Sequence, residues 1–329
     1  MSKTPRTLDD VDLAIIHELV ESPRRSYSDL AASVGLSAGA TKARVQQLRE
    51  SGCVRIAGRV DPTILGHGLF AFAFVEVRGS ALEAAQSLGE RYEAAFVVVV
   101  GGSASLIVEF RCRDWRHLAD TMADVGNDPR FTHAGVAMLR SYCKHDWSSI
   151  HSGGVVTSAE EARPEYAVDA IDMDILEALA ADGRATYADI ARRVAVSQGT
   201  ARQRVRHLEA AGVVTVQTVI SPGILGLAGY SAVGISVDGP AEAVAQEAAQ
   251  LEPVALAATV FGAFEIVVEV GYSDLGHLVE TLDSLRSIPG VKRLESFPYL
   301  IEVKESMEAG LWGRDEGSLV TSQLLSPKV

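Results

Sequence analysis

Residues 8–144 recur as residues 168–304 at a constant offset of 160, with no insertion needed, so whatever this chain builds it builds twice. Asp12, Ile15, Leu19, Arg24, Tyr27, Asp29, Ala31, Val34, Ser37, Gly39, Arg44, Val45, Leu48 and Gly52 stand opposite Asp172, Ile175, Leu179, Arg184, Tyr187, Asp189, Ala191, Val194, Ser197, Gly199, Arg204, Val205, Leu208 and Gly212. The turn Pro62-x-Ile64-Leu65-Gly66 matches Pro222-x-Ile224-Leu225-Gly226, and the register persists at Glu109/Glu269, His117/His277, Pro129/Pro289 and Lys144/Lys304. Such a period far exceeds the roughly 20 to 50 residues of solenoid repeats and is domain-sized. The sequence therefore reads as a fused pair of modules.

Each module opens with three short helical patterns. Val11, Ile15, Ile16 and Leu19 recur at helical spacing and stop before Ser22-Pro23. Tyr27 to Val34 places Leu30, Ala31 and Val34 on one face and ends at Gly35. Ser37 is a natural cap for a third helix, whose stripe is Thr41, Val45 and Leu48 and whose end is Gly52. Helix, helix, tight turn, helix is the helix-turn-helix order, and it returns at 171–180, 187–194 and 197–211.

A β-rich stretch follows each third helix, at 54–60 and 214–220. Beyond it strand and helix patterns alternate: strand 70–77, helix 81–92, strands 95–100 and 106–111 about a Gly-Gly turn, helix 115–125 and strand 136–142. That βαββαβ order predicts an antiparallel sheet with helices on one face. Phe70, Phe72 and Phe74 leave the other face apolar, so it needs a partner. The expected class is α+β: a winged helix-turn-helix at 1–61, a ferredoxin-like βαββαβ domain at 62–146, a Ser/Gly/Glu-rich linker at 147–167, a second winged helix-turn-helix at 168–221, a second βαββαβ domain at 222–305 and a tail at 306–329.

The net charge of −13 argues at first against a polyanionic partner, but its distribution does not. Residues 24–59 carry seven Lys and Arg against Asp29 and Glu50, and residues 184–220 carry six Arg against Asp189 and Glu209. Two locally basic patches on an acidic body suit a protein that binds a polyanion at two places only. No apolar run is long enough to span a bilayer, and no signal core follows the basic start, so the expected location is the cytoplasm, at the nucleoid, with no membrane partner. Cys53, Cys112 and Cys143 form no Cys-x-x-Cys pair and face Val213, Tyr272 and Val303 in the repeat; they read as inert packing thiols, with neither metal site nor cofactor implied.

The runs Leu8-Asp9-x-x-Asp12-x-x-Ile15, Val34-Gly35-Leu36-Ser37, Arg44-Val45-x-x-Leu48-x-x-x-Gly52 and Asp61-Pro62-x-x-Leu65-Gly66, with their copies, resemble the Lrp/AsnC (leucine-responsive regulator) family of transcription factors. The resemblance covers nearly all of both modules. It implies a DNA-binding regulator whose sheet domain dimerises and often binds an amino acid or related small molecule. Members usually carry one module and pair through facing sheets, so this chain is expected to form an intrachain pseudo-dimer and to assemble further into homo-oligomers. Its core would hold the recognition helices about one turn of DNA apart, roughly 34 to 36 Å, and an effector would shift that spacing or the assembly.

The candidate DNA-contacting residues are Ser37, Thr41, Lys42, Arg44 and Gln47 in the first head, and Ser197, Gln198, Thr200, Arg202, Arg204 and Arg206 in the second. Arg44 and Arg204, matched in both modules, suit structural ion pairs equally well. The second helix is the more basic, and the two heads need not read the same half-site. Near the effector, the family typically has a Gly-x-x-Asp turn and small hydroxyl residues on the last strand. The corresponding candidates are Gly102 and Ser105 in module one, and Phe261, Gly262, Phe264, Glu265 and Ser296 in module two. Only module two keeps a carboxylate at this turn, as an ammonium-bearing ligand requires.

Glu109/Glu269, Asp114/Asp274 and His117/His277 look at first like a duplicated acid/base set, but Asp114 three residues before His117 is a natural helix cap and structural use is favoured. His67 and His133, not duplicated, read as surface residues. Two rival readings remain. Sirohaem decarboxylases resemble the same fold, but their His-Asn-Tyr-x-Arg segment corresponds here to His67-Gly68-Leu69-Phe70-Ala71, without the Asn, Tyr or Arg. The other rival is a ligand-sensing module with degenerate DNA heads.

Overall fold

The computed structural model describes residues 8–145 and 166–305; the tail and nearly all of the predicted linker lie outside the described residues. The first half runs α1 (Asp10–Glu21), α2 (Tyr27–Val34), α3 (Ala38–Glu50), β1 (Val54–Val60), β2 (Leu69–Val77), α4 (Ala81–Gly89), β3 (Ala94–Val100), β4 (Leu106–Cys112), α5 (Trp115–Asn127) and β5 (Phe131–His145). The second runs α6 (Ala170–Ala181), α7 (Tyr187–Arg193), α8 (Gln198–Ala210), β6 (Val214–Ile220), β7 (Gly229–Val237), α9 (Ala241–Ala249), β8 (Val254–Gly262), β9 (Ile266–Tyr272), α10 (Leu275–Arg286) and β10 (Val291–Glu305). The Pro-x-Ile-Leu segments form single 3-10 turns after β1 and β6.

Local chemistry accounts for the helix boundaries. Asp9 caps α1, accepting from the Asp12 amide at 2.8 Å while Asp12 reaches back to the Asp9 amide, and Asp169 with Asp172 repeats this capping box on α6. Ser26 and Thr186 cap α2 and α7, and Ser37 and Ser197 cap α3 and α8. Helix α4 ends at Gly89, three residues short of the predicted 92, because the chain turns there to enter β3.

Each three-helix head has a core of its own, Ile15, Leu19, Leu30, Val45 and Leu48 in one and Ile175, Leu179, Ile190, Val205 and Leu208 in the other. The strand after each third helix forms no hairpin wing of its own. Instead β1 pairs antiparallel with β6, from Val54↔Ile220 to Val60↔Val214, and each strand supplies apolar residues to the opposite head. Val60 packs in the second head's core, while Val216 and Ile220 pack in the first. Thr218, 3% exposed, donates its hydroxyl to the Leu19 carbonyl at 2.6 Å.

Two reciprocal arginines tie the heads further. Arg24 donates to the carbonyls of Gly183 and Ala185 and lies over the Tyr187 ring; Arg184 donates to those of Pro23 and Arg25 and lies over Tyr27. These side chains belong to the basic patches by sequence, yet they satisfy backbone acceptors inside the protein.

The remaining strands close into an eight-stranded antiparallel barrel in the order β10-β3-β4-β2-β5-β8-β9-β7. The sheets β5-β2-β4-β3 and β10-β7-β9-β8 are joined at two seams, β5 to β8 and β10 to β3. The last strand of each half is what permits closure. β5 is fifteen residues long, against seven expected at 136–142; it pairs with β2 near its start and with β8 beyond Ala137. β10 does the same with β7 and β3.

Inside the barrel the two apolar sheet faces share one core of Phe72, Phe74, Val98, Ile107, Val260, Phe264, Val267 and Phe297. Outside, α4 and α5 cover one sheet, and α9 and α10 the other. Cys53, Cys112 and Cys143 are free and buried, and desolvation raises the thiols of Cys112 and Cys143 to about 11 and about 12. Asp114 and Asp274 accept from the His117 and His277 amides at 2.8 and 2.9 Å, as caps do. His133 is exposed, but His67 is half-buried, with Nδ1 3.2 Å from the Arg111 carbonyl and a pKa lowered by desolvation. No described helix is long and apolar enough to cross a membrane.

Candidate nucleic-acid interface and effector turns

Helices α3 and α8 bury one stripe and present the rest to solvent. Thr41, Val45 and Leu48 form the buried stripe of α3; Ala201, Val205 and Leu208 form that of α8. Thr41 is 0% exposed and donates its hydroxyl to the Ser37 carbonyl at 3.1 Å. It therefore cannot reach a base edge, which corrects its place among the DNA-contacting residues.

Arg44 and Arg204 are likewise withdrawn. The Arg44 guanidinium donates to Asp9 at 2.7 Å and to Asp12, itself 1% exposed, at 2.9 Å; Arg204 holds Asp169 and Asp172 at 2.7 and 2.8 Å. The hydrogen bonds that Arg44 donates to Asp9 and Asp12 hold its pKa above the ordinary value, and Arg44 in turn holds the Asp9 carboxyl low. These pairs pin the third helix of each head to the capping box of the first, so removing either arginine would strand a buried aspartate.

Ser37 accepts from the Ala40 amide at 3.2 Å and Ser197 from the Thr200 amide at 3.0 Å, with Thr200 Oγ1 2.8 Å from Ser197 Oγ. Both serines remain exposed at the leading ends of their helices. The outward face of α3 presents Ala38, Ala40, Lys42, Ala43, Gln46 and Gln47; that of α8 presents Gln198, Thr200, Arg202, Gln203, Arg206 and His207. Helical spacing from Gly199 or Arg206 suffices to find Gln203, which sequence reasoning passed over. Among the described residues Arg202 and Arg206 enter no ion pair, whereas Arg192 and Arg193 engage Asp189 and Glu177, and Arg49 engages Asp182.

The two effector turns sit at the inter-sheet seams. Gly102, with φ +123°, packs on β10, where a Cβ would lie 3.1 Å from the Ser296 carbonyl. Gly262, with φ +132°, packs on β5, where a Cβ would lie 1.9 Å from the Val136 carbonyl, which accepts the Ala263 amide at 3.0 Å. Glu265 accepts from the Val237 amide at 3.3 Å, and Ser105 Oγ takes the matching role for Val77 at 3.2 Å. Module one thus keeps the turn's internal hydrogen bond without its charge.

Phe261 is exposed, with Arg140 over its ring. Phe264 instead sits in the barrel core, 5% exposed and edge-on to Phe74, so it supports the turn from inside rather than facing a ligand. Ser296 also departs from the expected grouping. Its strand packs on the Gly102 turn, and its hydroxyl bonds Ser231 Oγ at 2.9 Å, while the turn that carries Glu265 packs on β5.

The Glu109/Glu269 pair of the candidate acid/base set lies inside the barrel, apart from the capping Asp114 and Asp274. Strand register points Glu109 and Glu269 toward the interior, opposite Phe72 and Ala232. Glu109 pairs with Arg111 at 2.7 Å, whereas burial pushes the Glu269 carboxyl well above its ordinary range, partly opposed by its hydrogen bond with Tyr299. Desolvation also pulls Arg59 of β1 down beside Arg111. The matched Glu109/Glu269 pair carried the only sequence signal of this cluster.

Two three-helix heads, each with a polar, cation-bearing third helix, on a sheet core with turns of this kind define a class: transcriptional regulators that bind DNA and an effector through separate domains. An AsnC-type helix-turn-helix model matches residues 8–49, a winged helix-turn-helix model residues 168–215, and an Lrp/AsnC ligand-binding model residues 232–309. An uncharacterised HTH-type transcriptional regulator of Pyrococcus horikoshii is 36% identical over 135 residues, covering 39% of this chain and 84% of its own length. The regulatory protein AsnC of Escherichia coli is 31% identical over 113 residues, 32% of this chain and 72% of its own. The chain belongs to the Lrp/AsnC family of transcriptional regulators.

Among solved structures, the sirohaem decarboxylase NirDL in complex with an iron-uroporphyrin III analogue superposes with a TM-score of 0.62, covering 91% of this chain and 96% of that one, at 13% identity. At that identity the likeness is one of fold.

Proposed function

We propose that this chain is a two-headed regulator: residues 62–146 and 222–305 form two copies of the ligand-binding domain, closed on each other as a pseudo-dimer, and both heads dock on one DNA duplex at the nucleoid. The observation that carries this reading is the pair of serine-capped helices, α3 and α8, each buried along one stripe and polar along the other. Early residues of such helices reach base edges in the major groove, and their longer cations reach phosphates.

The seam turns around Gly102 and Gly262 are the proposed effector positions, with Glu265 as acceptor for an ammonium group. Assembly of several chains is proposed to follow through the outer surfaces of the barrel, and the effector to act on that assembly or on head spacing.

A decarboxylase function is not favoured. The backbone likeness carries no residue-level support, since the stretch at His67-Gly68-Leu69-Phe70 lacks the expected Asn and Tyr, and His67 is engaged by the Arg111 carbonyl.

Fluorescence anisotropy with labelled genomic duplexes tests the DNA reading. Saturable binding is expected, with an affinity that falls steeply with salt, and Arg202→Ala or Arg206→Ala should each shallow the log–log salt slope by about one. No binding at low salt, or an unchanged slope in both variants, refutes it.

A further inference from the structure

The two recognition helices agree at most of the positions the protein holds and differ at most of those that face outward, Thr41/Ala201 and Gly39/Gly199 being the exceptions. Ser37/Ser197, Arg44/Arg204, Val45/Val205 and Leu48/Leu208 are identical pairs, and each is capping, ion-paired or buried. Of the eight outward pairs along the helices only Gly39/Gly199 matches; Ala38/Gln198, Ala40/Thr200, Lys42/Arg202, Ala43/Gln203, Gln46/Arg206, Gln47/His207 and Glu50/Ala210 all differ. A homodimer lacks this freedom, because two identical helices read two identical half-sites and so a palindrome.

We infer that this chain reads an unsymmetrical operator, with α8 specifying one half-site through guanine contacts and α3 accepting the other loosely. The inference rests on the DNA-binding reading above. Arg202 and Arg206 stand one helical turn apart on the same face, and each guanidinium offers a planar fork matched to O6 and N7 of guanine. Neither is held by an ion pair among the described residues, so DNA contact displaces no internal partner. Gln198 and Gln203 add amides suited to adenine, with Gln198 in the first turn, which enters the groove foremost.

On α3 the same positions offer Lys42, a point charge suited to phosphate, and the methyl groups of Ala38, Ala40 and Ala43, whose sequence-dependent contact is with a thymine methyl. The Gln46 amide already donates to Glu50 at 2.8 Å. The β1–β6 ribbon and the Arg24 and Arg184 ties fix the heads relative to one another. The strongly and weakly read halves therefore occur in one order and spacing.

Selection of the full chain against random duplex DNA tests this. The expected motif has one sharply defined half containing guanines and one weakly defined half. Arg202→Ala and Arg206→Ala should each lower affinity for the selected operator roughly 5- to 150-fold and erase preference at one guanine. Lys42→Ala should weaken all duplexes alike. Carrying Ala38→Gln, Ala40→Thr, Lys42→Arg, Ala43→Gln, Gln46→Arg and Gln47→His together on α3 should turn the motif into a palindrome; all six sites are exposed, so the fold does not depend on them. A palindromic motif from the native chain, or an unsymmetrical one from the six-site variant, overturns the inference while leaving DNA binding intact. Absence of binding overturns the DNA reading, and the inference with it.

Discussion

Replacing Gly262 with alanine probes the seam between the two halves of the barrel. A Cβ at this position would lie 1.9 Å from the Val136 carbonyl oxygen, on a backbone with φ +132°. Two costs follow. A side chain in this region of backbone space is strained by about 1 to 3 kcal/mol. The turn must also retreat from β5, which breaks the Ala263 hydrogen bond to Val136 and costs roughly 0.5 to 1.5 kcal/mol more, besides the lost packing.

The total is about 1.5 to 4.5 kcal/mol, or roughly 2 to 7 °C in Tm for a chain of this size. Gly102, the matching residue, provides an internal control. Its φ of +123° gives Gly102→Ala a similar strain, but its nearest contact is 3.1 Å, so relief needs only a few tenths of an ångström. Gly102→Ala should therefore cost about 1 to 2 kcal/mol less than Gly262→Ala in urea denaturation followed by tryptophan fluorescence. Equal losses, or a larger one at Gly102, would refute the close packing of the Gly262 turn on β5.

Glu269 should make stability fall as pH rises. Its folded-state pKa is raised by burial above the ordinary 4.5, so its contribution is fully present below that value and is lost as pH climbs through the folded value. The slope is at most about 1.4 kcal/mol per pH unit. Glu269→Gln keeps a hydrogen-bonding partner for Tyr299 and should flatten the decline in urea midpoints measured from pH 5 to 9.

Arg24→Ala removes two charge-assisted bonds between the heads and should cost about 2 kcal/mol by calorimetry. Arg24→Ala with Arg184→Ala should depart from additivity if the two ties act as one clamp. Cys112 and Cys143, with thiols at about 11 and about 12, should resist a thiol reagent at pH 8 in the folded chain and react promptly in urea.

The parts of this molecule governed by near neighbours in sequence were legible from it. The cap at Ser37, the stops at Ser22-Pro23, Gly35 and Gly52 and the stripe at Ile15, Leu19, Val45 and Leu48 placed the first three helices to within a residue or two. The apolar Phe72 and Phe74 face required a partner, which the other sheet's Phe264 and Phe297 supply. Pairings between distant segments were not legible. Nothing in 54–60 signals that the strand exchanges with 214–220, since alternation fixes which side chains share a face and leaves the partner open.

The full length of β5 was hidden for the same reason, because its second half is ordered by β8. Within the DNA face, composition flagged Arg44 and Arg204, while their buried aspartate partners lie in the first helix of each head. A cation's availability depends on its neighbours in space, which residue type does not report.

The exchanged ribbon and the two barrel seams also bear on life among relatives. A regulator that forms its pairs from separate chains trades subunits with similar proteins in the same cell, and mixed species dilute each one's target choice. Here every barrel strand has neighbours on both sides, and each head is stitched by a strand from the other. Pairing within one polypeptide does not weaken at low copy number, and a foreign subunit finds no open strand edge in the closed barrel to occupy. With both halves in one polypeptide, the two unlike heads are held at a fixed one-to-one ratio.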